Sequence, residues 1–173
     1  SRLTKMDVLG WLLLLLSGTI ALHVSFAPDR FLGHLPGGGL GEYAGEVLRP
    51  SDGKHPDRIA WIQCVGSRDA HRGRPYCSSV CCTYATKEAV IAKEHIGRDR
   101  VECHVFFMDM RTYGKGFEEY YNRAVDEYGV VYTRCRVGEV REDPATEDLL
   151  IAFEDESGEM SEERFSMVVL STG

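Results

Sequence analysis

The chain has 173 residues, 43% of them hydrophobic and 27% charged, which suits one globular core and excludes a disordered or fibrous chain. A formal net charge of −7 excludes a broad nucleic-acid footprint, which needs a basic face to neutralise phosphates. Six cysteines stand at 64, 77, 81, 82, 103 and 135, with four of them inside nineteen residues. Such crowding points to a reducing compartment, expected to be the cytoplasm, and to a metal or redox site rather than an extracellular disulfide scaffold.

The chain opens on Ser1 rather than Met, and its start is read as a cut end. Val8 to Val24, VLGWLLLLLSGTIALHV, is an apolar run of 17 residues, at the lower edge of the range of about 17 to 25 for a spanning helix. A buried helix or a segment foreign to the domain is preferred to a membrane anchor, because everything after Arg58 reads as soluble and reduced. Residues 27–56 carry Pro28, the run Pro36-Gly37-Gly38-Gly39 and Pro50-Ser51-Asp52-Gly53, the turn chemistry of a connector. Residues 1–48 are thus set apart as an atypical apolar segment and connector, and residues 49–173 as the folded domain.

Arg58 to Val65, RIAWIQCV, predicts a buried strand. Ser78 or Ser79 is the expected cap of a helix running to about His95 and stopped by Gly97, with Cys81, Ala85, Ala89, Ala92 and Ile96 on one face. Val101 to Met108 predicts a second strand, parallel to the first because it follows a helix crossover. Phe117 to Tyr128 predicts an amphipathic helix ended by Gly129, and Val130 to Cys135 a third strand. Arg136–Arg141, Leu149–Glu154 and Glu163–Phe165 predict an antiparallel meander, and Met167–Ser171 a returning strand. The sum is an α/β fold with a Rossmann-like parallel sheet and a small antiparallel β insert, of the pyridine nucleotide-disulfide oxidoreductase type.

A dinucleotide-binding turn after the first strand would carry G-x-G-x-x-G, so that backbone amides approach a pyrophosphate. Here only Gly66 and Gly73 remain, separated by a detour through His71-Arg72, and standard nicotinamide binding is not expected. The turn carries C-x12-C-x3-C-C instead: Cys64 at the strand end, Cys77 before or at the helix start, and Cys81 with Cys82 in its first turns. Cys77 and Cys81, four apart, would share a helix face. Four thiolates are the normal complement of a 4Fe-4S cubane, and Arg68, Arg72 and Arg74 would offset its negative charge. A zinc tetrathiolate in a noncatalytic interaction domain, or a dithiol pair, stays open on spacing alone.

The segments IAWIQCVGSRD, RPYCSSVCCTYATKEAVIAKEH, FFMDMRTYGKGFEEYYNRAVDEYGV and the terminal MVVLSTG resemble the A subunit of heterodisulfide reductase and its bacterial relatives, from about Arg49 to the end. The resemblance implies a fragment of the thioredoxin-reductase-like part of an oxidoreductase subunit that binds FAD and several iron-sulfur clusters and works in flavin-based electron bifurcation. It carries the cluster ligands over as Cys64, Cys77, Cys81 and Cys82, with no catalytic residue in this chain. In methanogens the family's complex reduces the mixed disulfide of coenzymes M and B. It draws electrons from hydrogenase or formate dehydrogenase and also reduces ferredoxin, so those proteins and sister heterodisulfide reductase subunits are the implied partners. The family's first FAD fingerprint is absent, which places most flavin contacts outside this chain and leaves the fragment alone expected to be inactive.

Cys103, among apolar neighbours in a strand, and Cys135, at the end of one, read as packing residues. Asp109 reads as a solvated loop carboxylate, Gly114-Lys115-Gly116 as a turn, and His71 as an exposed residue.

Overall fold

Ile59 and Trp61 on one side and Ala60 and Ile62 on the other leave no polar face on the first strand, so both of its surfaces must be covered. In the computed structural model, which describes residues 46–49 and 51–172, that is what happens. The apolar run Val8–Val24 and the connector through residue 45 lie outside the described residues.

Strand β1 (Arg58–Val65) leads through a loop to helix α1 (Cys81–Ile96), then to β2 (Glu102–Phe107), helix α2 (Phe117–Asp126), β3 (Val131–Glu142), β4 (Leu149–Asp155), β5 (Met160–Phe165) and β6 (Met167–Thr172). The six strands lie in the order β5-β4-β3-β2-β1-β6. β1 pairs in parallel with β2 from Arg58↔Glu102 to Ile62↔Phe106, and with β6 from Ile59↔Met167, so parallel neighbours flank it on both sides. β4 and β5 are antiparallel, as the meander reading required. Among the described residues no helix is long and apolar enough to cross a membrane.

Two cores follow from the alternation. Ile59, Trp61, Cys103, Val105 and Val169 face α1 and α2. Ala60, Ile62, Phe106 and Val168 face the opposite way, against Ile151, Phe153 and Phe165 of the meander. The small face predicted for α1 is the buried one, with Ala85, Ala89 and Ala92 fully inaccessible, which lets the helix axis approach the sheet closely. Cys103 lies in the same core, its thiol donating to the Ala89 carbonyl oxygen and pushed up to about 12 by burial.

Two elements depart from the sequence reading. Neither Ser78 nor Ser79 caps α1; Val80 holds that position without a side-chain bond, and Ser79 is left-handed at φ 64°. The entry turn is bent by the cysteine segment, which removes the serines from capping geometry. The third strand also does not stop at Cys135. Val131 to Arg134 pair with β2, and Cys135 to Glu142 continue as the first strand of the meander beside β4, with a register shift between Val137 and Glu139 at Gly138.

A cysteine cluster at the strand-to-helix turn

Cys64 leaves β1 in an unusual way. The pairing of β1 with β6 slips between Ile62 and Val65, and Cys64 adopts φ 62°, a left-handed conformation that costs a non-glycine residue of the order of 1–3 kcal/mol. Such strain persists only where surrounding contacts enforce it, and it concentrates at functional sites. Gly66 at φ 75° and Arg68 at φ 56° continue the turn. The next residues close on themselves, as Asp69 and Arg74 exchange backbone hydrogen bonds of 2.7 and 2.8 Å and Arg68 N–H reaches the Tyr76 carbonyl oxygen at 2.9 Å. This hairpin folds away most of the twelve residues between Cys64 and Cys77 and returns the chain to the strand end.

Cys77 then sits in the loop before α1, where its sulfur accepts a hydrogen bond from Ser79 N–H at 3.4 Å. It does not share a helix face with Cys81, because α1 begins only at Cys81. Cys81 and Cys82 occupy the opening turn of the helix and are almost inaccessible, as is Cys64. Helix N-termini in this class of fold ordinarily face a pyrophosphate; this one presents two thiols. All four sulfurs are free of disulfides.

The three buried thiols act on one another. Cys81 is held far below the ordinary thiol range, first by hydrogen bonds from Cys64 and Cys82 and then, against burial, by Ser78. Cys64 and Cys82 are pushed up, each first by its bond to the Cys81 sulfur and then by burial. Cys82 Sγ also lies 3.7 Å from the Asp109 carbonyl oxygen.

Asp109 is not a simple solvated carboxylate. It joins Arg68 at 2.7 Å, Arg111 at 3.3 Å and Arg134 at 3.6 Å, and the Arg68 bond foremost holds its carboxyl below the usual range. The loop after β2 is thereby locked to the loop after β1. An Asp–Arg pairing across some forty residues leaves no local pattern, and sequence reasoning missed it. His71 is exposed, as expected. Gly114 to Gly116 form the turn before α2, with Gly116 left-handed at the cap.

An open cleft of about 1000 Å³ adjoins the cluster on the meander side, lined by Gln63, Cys64, Arg68, Arg74, Phe106 and Arg136 among others. Cys135 borders it, half-buried and pushed up to about 11 by desolvation.

A zinc tetrathiolate would gather sulfurs about 3.8 Å apart, given Zn–S bonds of ~2.3 Å in a tetrahedron. Among the described residues the one set of three or more ligating groups within 4.8 Å of one another is Glu102, His104 and Glu163, not the cysteines. That set already holds a cation: Arg58 Nη2 lies 2.7 Å from Glu102 and 2.9 Å from Glu163.

No family model matches the chain. Among solved structures it is similar to thioredoxin reductase of Lactococcus lactis, at 12% identity and a TM-score of 0.45 over 69% of this chain and 32% of that one. Among known sequences, the second of two iron-sulfur A subunits of CoB–CoM heterodisulfide reductase from Methanopyrus kandleri is 48% identical over 134 residues, 77% of this chain and 20% of that protein. The corresponding iron-sulfur A subunit of Methanocaldococcus jannaschii is 47% identical over 134 residues, with the same shares. The A subunit of the H2/formate:CoB-CoM heterodisulfide, ferredoxin reductase of Methanococcus maripaludis is 48% identical over 130 residues, 75% of this chain and 20% of that protein. The chain spans about a fifth of the length of these relatives, and within that span it belongs to the family of heterodisulfide reductase A subunits.

Proposed function

We propose that the chain is an electron-transfer domain of an iron-sulfur flavoprotein oxidoreductase, with Cys64, Cys77, Cys81 and Cys82 as ligands of a 4Fe-4S cluster. The observation that supports this most directly is that the strand end carrying Cys64 and the helix start carrying Cys81 and Cys82 adjoin in the fold, with all three thiols buried. Cys77, half-buried in the loop that follows the 69–74 hairpin, supplies the fourth ligand in this reading. The donor set fits, since four thiolates complete a cubane and unpartnered polar atoms surround them.

Such a cluster supplies reversible one-electron storage. The chain's own residues hold it rigidly, exclude water at three of its four corners, and offset its charge with Arg68, Arg72 and Arg74. No side chain here performs proton transfer on a substrate. In the whole protein, FAD is held mainly by residues outside this chain, and the cluster relays electrons to or from that flavin in electron bifurcation. Sister heterodisulfide reductase subunits, a hydrogenase or formate dehydrogenase, and ferredoxin are its partners, in the cytoplasm. The family's reaction on a disulfide belongs to that assembly and not to this chain alone.

Anaerobic purification of the 173-residue chain with iron, sulfide and zinc analysis tests the reading. About four irons with matching sulfide and a visible band bleached by dithionite are expected. One zinc per chain, without sulfide, overturns it in favour of a zinc-stabilised interaction domain.

A further inference from the structure

Eight buried side-chain nitrogen and oxygen atoms lack a hydrogen-bond partner among the described residues, and five of them belong to Gln63, Ser67, Arg68 and Ser78. Each of these residues stands within four positions of a cysteine of the quartet. A buried polar atom without a partner costs about 1–3 kcal/mol, so a concentration of them at one place calls for an explanation. Two of the five are donors on the loops that carry the cysteines. Arg68 Nη1 is buried and unpaired in the lining of the cleft that Cys64 shares, while the Nη2 of the same guanidinium is anchored at 2.7 Å to Asp109, whose carbonyl oxygen lies 3.7 Å from Cys82 Sγ. The Ser78 hydroxyl is buried without a partner on the loop between Cys77 and Cys81. A guanidinium only donates, and a serine hydroxyl carries one proton that it can donate.

We infer that Arg68 and Ser78 are positioning residues that donate hydrogen bonds to the sulfur shell of the cluster, at Cys64 and Cys81 respectively, and thereby raise its reduction potential. The inference rests on the cluster reading given above. Taking up one electron adds one negative charge to the cluster, and a donor aimed at its sulfurs stabilises that extra charge more than the oxidised state. Asp109 contributes indirectly, by fixing the guanidinium through Nη2 so that Nη1 is left free to donate.

The test is an anaerobic redox titration of the full chain followed by electron paramagnetic resonance, comparing the parent with Arg68→Gln, Arg68→Lys, Ser78→Gly and Ser78→Thr. Arg141→Gln serves as a control, since Arg141 pairs with Glu162 far along the meander. At the parent's midpoint, where half the clusters are reduced, Arg68→Gln and Ser78→Gly should lower the reduced-to-oxidised ratio severalfold; tenfold corresponds to about 59 mV for one electron. Ser78→Thr keeps the hydroxyl and should return the parent's potential, Arg68→Lys should fall between, and Arg141→Gln should not move. Unchanged potentials in iron-replete Arg68→Gln and Ser78→Gly overturn the inference alone. Loss of iron instead of a shift also overturns it, because the side chains would then hold the cluster rather than tune it. A parent chain with no iron overturns the cluster reading and this inference together.

Discussion

The indole N–H of Trp61 donates to the Glu88 carboxylate at 2.9 Å, tying strand β1 to helix α1 from inside the core. Glu88→Ala leaves that buried N–H without an acceptor and should cost about 1–3 kcal/mol of stability in urea denaturation. Glu88→Gln keeps an acceptor and should cost less.

The same carboxyl gives a pH signature. Burial, the larger influence, raises its folded pKa above the ordinary value of 4.5, and the Trp61 bond only partly opposes this. Between those two values the folded chain binds more protons than the unfolded one, so stability contributed by the protonated form is lost as pH rises through the folded pKa. Urea midpoints measured upward from pH 4.5 should fall in the parent and fall less in Glu88→Gln. Identical slopes would show that Glu88 titrates normally.

The helix that carries Cys81 and Cys82 sits close to the sheet because its inner face is alanine. Ala89→Leu forces the pair apart and should destabilise by about 1–3 kcal/mol. The displaced helix start should also lower iron retention during gel filtration, whereas an exposed change such as Lys87→Ala should leave both intact.

Six cysteines are present, but the geometry divides them. Cys103→Ala should keep the full iron and sulfide content and lose about 1 kcal/mol from the core. Cys81→Ala should remove the bleachable visible band and most of the iron. Equal iron content in these two variants would show that the quartet is wrongly chosen.

Much of this was legible in the chain itself. RIAWIQCV, VECHVFF and MVVLS are apolar on both faces, so they could only be buried strands, and the alanine spacing from Ala85 to Ala92 fixed the side that α1 turns inward. The cysteine spacing drew attention to the turn after β1 because no ordinary core concentrates thiols so densely. What escaped depends on partners distant in sequence. Ser78 looks like a cap until the bend at Cys77 removes it from place. Cys135 looks like a strand end until β4 arrives to pair with the residues after it. Asp109 looks solvated until three arginines from three separate segments converge on it.

One strand, β3, belongs to both halves of the sheet, its first four residues hydrogen-bonded to β2 and the remainder to β4. The meander is therefore no loosely attached flap. Mechanical load on the outer hairpin travels along a continuous beam to the neighbour of the cysteine-bearing loops, and the weak point of that beam is the bulge at Gly138.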